Sequence, residues 1–285
     1  MISDHNIEDW VAQAEKGQQE FREAVHTILV AIAQQPDLRD RMIIKGGILL
    51  AIRYKSTRFT RDIDFSTQQK LNDIPPEEIQ STLENALSQT VEQLDYDLDC
   101  KVQSITVQPK DRPNASFPSM KIKVAHAYKG TTKHKRLLAG ACPSVISIDY
   151  SLNEETYFVE DLQISDDDNV VAYALTDLIS EKFRAILQQI DRNRQRRQDI
   201  FDLFYLLQSQ GPFDGDEKAR ILYSLVLKCR ARGIEPDHKS LNNREIYERA
   251  KADYPTLKDE ITGELPEFDQ IYHNVRAFYE SLDWP

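Results

Sequence analysis

Hydrophobic positions change their spacing along the chain, and the change predicts two kinds of structure. From Ile7 to Gln34, Trp10, Ala14, Phe21, Val25, Ile28, Leu29 and Ile32 recur at steps of three and four, which predicts a helix stopped by Pro36. A short apolar run, Met42-Ile43-Ile44, precedes Lys45-Gly46-Gly47, after which Ile48–Tyr54 suits a helix beginning at the glycine pair. Arg61–Phe65 alternates and reads as a strand, and Pro75-Pro76-Glu77-Glu78 marks a helix start running to about Leu94. Four strand-like segments follow at Leu98–Val107, Ser119–Tyr128, Val145–Leu152 and Thr156–Ile164. From Thr176 onward the periodicity is helical, with candidates at Thr176–Ile190, Arg197–Ser209, Glu217–Ala231, Arg244–Ala252 and Phe268–Leu282. The pattern predicts an α+β fold: a small mixed β-sheet core with flanking helices over residues 1–172, followed by an all-helical domain over residues 173–285.

Composition narrows the class. With 40% hydrophobic and 29% charged residues, the chain carries enough apolar material for a full core and is too apolar to be disordered. No apolar run approaches the roughly 20 residues that span a bilayer, and the acidic N-terminal segment lacks the features of a signal peptide, so a cytoplasmic protein is expected. Cys100, Cys142 and Cys229 are widely spaced and predict buried thiols rather than a disulfide framework or zinc site. His5, His26, His126, His134, His238 and His273 show no metal-ligand spacing, and no nucleophile-elbow motif is present, so a hydrolase is disfavoured. The net charge of −11 argues against a protein that coats nucleic acid. Locally the sign reverses: Arg112–Ile148 contains no Asp or Glu, yet holds Arg112, Lys121, Lys123, Lys129, Lys133, Lys135 and Arg136. Arg184, Arg192, Arg194, Arg196 and Arg197 form a second basic cluster.

The chemistry concentrates in Lys45–Phe65. On a strand, Asp62 and Asp64 project from one face while Ile63 and Phe65 enter the core. Two carboxylates held side by side repel, and a hard divalent cation such as Mg²⁺ relieves that repulsion through oxygen ligands. Gly46 and Gly47 stand at a strand-to-helix junction, where backbone N–H groups can approach phosphate closely. Asp149, an acid on an otherwise apolar strand, is a candidate third metal ligand or general base, or else a solvent-facing strand end.

The segment Gly46–Phe65 (GGILLAIRYKSTRFTRDIDF) resembles the signature of the AbiEii/AbiGii toxin family, within the DNA polymerase β-like nucleotidyltransferase superfamily. Glu181-Lys182-Phe183-Arg184-Ala185 and Arg196-Arg197-Gln198-Asp199-Ile200-Phe201-Asp202-Leu203 resemble the family's two later motifs, so the likeness covers about residues 40–210. The resemblance implies that Gly46 and Gly47, with Lys45, Arg58 and Thr60 nearby, hold a nucleoside triphosphate. It implies that Asp62, Asp64 and Asp149 bind Mg²⁺. Lys182 would reach the triphosphate as a point charge, and Asp199 would orient a catalytic basic group or the acceptor; both would come from the helical domain. Asp202 shares a helix face with Asp199, and a partner for Arg196 or Arg197 is an equal reading of it.

The resemblance further implies transfer of a nucleoside monophosphate to an acceptor, expected to be RNA and most plausibly a tRNA 3′ end. The protein would act as the toxin of a toxin–antitoxin or phage-defence pair, with a cognate antitoxin as partner. The basic Arg112–Ile148 stretch, with His126, Tyr128 and His134 interleaved, offers phosphate and stacking contacts, although a solvated basic hairpin has the same pattern. The alternatives are nucleotidylation of a protein acceptor, and a nucleotide- or partner-binding module without turnover.

Overall fold

The computed structural model describes residues 7–15, 17–110 and 115–285, so Arg112 of the basic stretch lies outside the described residues. The chain divides into two compact units. The first contains the described residues up to Arg53, then Arg61–Glu154 and Glu160–Ala172; the second contains Tyr54–Thr60, Glu155–Val159 and Tyr173–Pro285.

In the first unit the N-terminal helical pattern is broken. Helices α1 (Ile7–Ala12) and α2 (Gln19–Ala33) replace the single expected helix, and Gly17, at φ +95°, makes the turn between them. After the short α3 (Pro36–Arg39) come β1 (Ile43–Lys45), α4 (Gly46–Tyr54) and β2 (Asp62–Ser66). Helix α5 (Pro76–Gln93) leads to β3 (Leu98–Gln108) and β4 (Ser119–Tyr128). Helix α6 (Thr132–Leu138) then precedes β5 (Val145–Ser151), β6 (Val159–Gln163) and β7 (Asn169–Tyr173).

The strands form one mixed sheet in the order β3-β4-β5-β2-β1-β7-β6. Its centre is parallel between β2 and β5 and antiparallel on either side, where β4 meets β5 and β1 meets β2. Helices α2 and α5 pack on each other and against the β3–β5 half of this sheet. One sheet face is the core: Ile122, Ile148 and Ile63 align across three strands, and Met120, Tyr150, Phe65 and Ile44 across four, all at 0% exposure. Each such side chain contributes about 1.5–3 kcal/mol by leaving water. This burial fixes register, because a one-residue slip would turn the aspartates inward.

Helices α3 and α6 and strand β7 escape the sequence pattern. Helix α6 follows β4, with Thr131 capping it by accepting a hydrogen bond from the His134 N–H. Strand β7 pairs parallel with β1 and is short, with only Asn169–Tyr173 to carry a signal. The expected strand at Thr156–Ile164 contracts to Val159–Gln163.

The second unit holds α7 (Leu175–Leu187), α8 (Arg197–Gln210), α9 (Gly215–Arg230), α10 (Arg244–Lys251) and α11 (Phe268–Glu280). Helix α7 packs on both α8 and α9, and α11 packs on α8. A buried ion pair, Lys228 Nζ to Asp177 at 3.1 Å, ties α9 to α7. The segment Tyr54–Thr60 belongs to this unit through backbone pairing: the Phe59 N–H donates to the Glu260 carbonyl and the Thr262 N–H to the Thr57 carbonyl. Among the described residues, no helix is long and apolar enough to cross a membrane.

Candidate active site

The sheet face opposite the core is polar where β4, β5, β2 and β1 cross. Strand register aligns Lys121, Asp149, Asp64 and Lys45 in one row, and Lys123, Ser147 and Asp62 in the next. Partners in register point the same way, so the three aspartates predicted from sequence share one face. Burial follows the same alternation: Ile63 and Phe65 are buried, Asp64 is half-buried and Asp62 is exposed.

Asp62 titrates above the ordinary carboxylate range. Partial burial is the main cause and the negative charge of Asp149 adds to it, while Lys121 and Arg61 oppose the shift. Crowded carboxylates of this kind are relieved by a cation.

Gly46 opens α4 with φ +72°, a conformation that favours glycine. A β-carbon at this position would stand 2.8 Å from Asp64 Cγ and 2.9 Å from Asp64 Cβ, so the bare backbone makes room for the carboxylate. Gly47 is the second residue of the same helix, and Lys45, the last residue of β1, is largely buried beside Asp64.

The fit to a divalent ion follows from this arrangement. Among the described residues, no three His, Cys, Asp or Glu side chains form a ready-made metal cage. Asp62, Asp64 and Asp149 share one sheet face, Asp64 and Asp149 in one row and Asp62 in the next, without forming such a group as they stand. An all-carboxylate donor set, completed by water and substrate phosphates, has the chemistry that a hard divalent ion takes.

The second unit gathers the other predicted residues. Lys182 Nζ, buried on α7, donates to Asp199 Oδ1 at 3.1 Å and to Asp202 Oδ2 at 2.7 Å, both on α8. Arg58 makes a two-pronged contact with Asp202, with both N–O distances 2.8 Å. Burial opposes the charge on Lys182, but Asp202 and Asp199 outweigh it and raise its pKa. Asp202 behaves conversely: burial raises it, and Arg58 with Lys182 overcomes that, bringing it down to about 2. Asp199 Oδ2 accepts no hydrogen bond and has Arg196 Nη1 at 3.6 Å.

Three features of this cluster were not legible in the chain. Asp202, left open between function and pairing, is the hub. Arg58, expected on phosphate, is held by that hub, and Glu260 stands 3.9 Å from its guanidinium. Arg197 pairs with Glu260 at 2.7 Å rather than with Asp202. Thr60 is half-buried, two residues before Asp62.

No curated protein matches the sequence. Among solved structures, the fold is similar to JHP933 from Helicobacter pylori at 13% identity, covering 95% of this chain and 93% of that one with a TM-score of 0.52. It is also similar to MenT4, a nucleotidyltransferase toxin from Mycobacterium tuberculosis, at 15% identity, covering 96% and 90% with a TM-score of 0.55. The model of the family described as nucleotidyl transferase AbiEii toxin, type IV toxin–antitoxin system, matches residues 27–274. The chain therefore belongs to the AbiEii family of toxin nucleotidyltransferases and is itself a nucleotidyltransferase.

Proposed function

We propose that the protein transfers a nucleoside monophosphate from a nucleoside triphosphate to the 3′-terminal hydroxyl of an RNA, with a tRNA 3′ end as acceptor, and that this reaction underlies its toxin role beside a cognate antitoxin. The acceptor oxygen forms a bond to the α-phosphorus, the bond to the bridging oxygen breaks, and pyrophosphate leaves with the electron pair. The observation that carries this reading is the row Lys45–Asp64–Asp149–Lys121 beside the Gly46 turn.

Asp62, Asp64 and Asp149 are the residues that would hold Mg²⁺, which when bound supplies positive charge to the triphosphate and aligns it. Gly46 and Gly47 leave the backbone of the β1–α4 turn open to phosphate, and Lys45 adds a cation to the same row. Asp149, in register with Asp64, would accept the acceptor's hydroxyl proton. Lys182, in the second unit, is kept charged by Asp199 and Asp202.

The test is to incubate the purified protein with each of four labelled NTPs, Mg²⁺ and total cellular RNA. Label on RNA that requires Mg²⁺ is the expected result. Label on protein alone would replace the RNA acceptor with a protein one, and no transfer under any condition would favour a binding module.

A further inference from the structure

The basic stretch does not act as one surface; the fold sorts it by direction. Lys129 is paired with Glu92 at 2.9 Å, and Lys133 with Glu20 at 3.2 Å. Lys121 and Lys123 instead point from β4 onto the face that carries the carboxylates, Lys121 in the row of Asp149 and Asp64 and Lys123 in the row of Asp62. Lys101 on the neighbouring β3 joins this face one row further along, opposite Ala125 and Val145. Lys101 and Lys123 are exposed. Neither residue forms an ion pair within 4.0 Å among the described residues; Asp99, two residues before Lys101 on the same face, is instead held by His134 at 3.0 Å. Helix α6 closes the far end of the face, where Ala125, Ala127, Leu137, Cys142 and Val145 form a small apolar cluster.

We propose that this face of β3 and β4 is the acceptor track: the sugar–phosphate backbone of a single-stranded polynucleotide lies along Lys101, Lys123 and Lys121, and its 3′ end reaches Asp62, Asp64 and Asp149. Lys121 and Lys123, two residues apart on one strand, stand about 6.8 Å apart at the backbone, close to the repeat of successive phosphates on an extended strand. Ser104 and Thr106, in register with Lys123 and Lys121, add hydroxyl donors beside the same path. A lysine row beside neutral hydroxyls reads backbone rather than sequence, so base identity contributes little here. The proposal rests on the RNA-acceptor reading above and assigns that acceptor to a surface.

The experiment measures binding without turnover. A fluorescein-labelled single-stranded RNA of mixed sequence is titrated with the full chain carrying Lys101→Glu with Lys123→Glu, with Lys123→Arg, or with Lys129→Gln, across a salt series. The double variant is expected to weaken RNA binding at least tenfold and to lower the slope of log affinity against log salt by about 1.4, the value for two lost phosphate contacts on a single strand. Its affinity for NTP should be unchanged, Lys123→Arg should retain RNA binding, and Lys129→Gln should match the unmodified protein. RNA affinity unaltered in the double variant would overturn the track, even if the protein labels RNA. A protein that binds no RNA and labels only protein would overturn both the track and the acceptor reading.

Discussion

Asp64 fills the space that a side chain at Gly46 would need: a β-carbon on residue 46 would stand 2.8 Å from the Asp64 Cγ. The positive φ of Gly46 adds a second reason for glycine, since an L-side chain there costs about 1–2 kcal/mol. Gly46→Ala is expected to lower stability by about 2–5 kcal/mol, the backbone cost plus that of the clash, while displacing Asp64 and cutting nucleotide transfer at least a hundredfold. Comparing denaturant midpoints with transfer rates separates the two effects.

The Arg58–Asp202–Lys182 cluster predicts a different pattern. Asp202 is fully buried and balances two cations, so Asp202→Ala leaves both uncompensated and should destabilise the protein by about 3–5 kcal/mol. Adding Arg58→Met to that variant should recover part of the loss, because one orphaned charge is removed. Strict additivity in urea denaturation would show that the two residues are not coupled.

The same cluster sets a pH dependence. The folded-state pKa of Asp202 is depressed, so its stabilisation is present above the unfolded value near 3.9 and is lost as pH falls towards about 2. The loss across that window should be about 2 kcal/mol and should vanish in Asp202→Asn. Lys182 is shifted the other way, upward, so its stabilisation holds below the ordinary lysine range and is lost only when strong alkali exceeds its raised value. Denaturation midpoints measured from pH 2 to 5 in both proteins check the acid limb.

The legible parts of the chain were those with local signals. Period-two alternation gave β4 with its bounds unchanged at Ser119 and Tyr128, and placed Asp62 and Asp64 on one face opposite Ile63 and Phe65. The glycine pair marked the start of α4. What stayed hidden depends on partners distant in sequence. Arg58 looked like a phosphate ligand because nothing near it reveals Asp202, which lies 144 positions away. The row Lys121–Asp149–Asp64–Lys45 exists only because β2 lies between β5 and β1, an order no single segment encodes. A pattern of lysines at alternate positions, Lys121 and Lys123, was the one available sign that two of the basic residues share a direction.

The proposed transfer reaction depends on the carboxylates of β2 and β5. It is tested most directly by Mg²⁺-dependent incorporation of labelled NMP by Asp64→Asn, which keeps the side chain's size beside Gly46 and replaces a charged carboxylate oxygen with a neutral amide. At least a thousandfold loss of incorporation is expected, with a circular dichroism spectrum matching that of the unmodified protein. Incorporation within a few-fold of the unmodified protein, in a variant just as well folded, would contradict it.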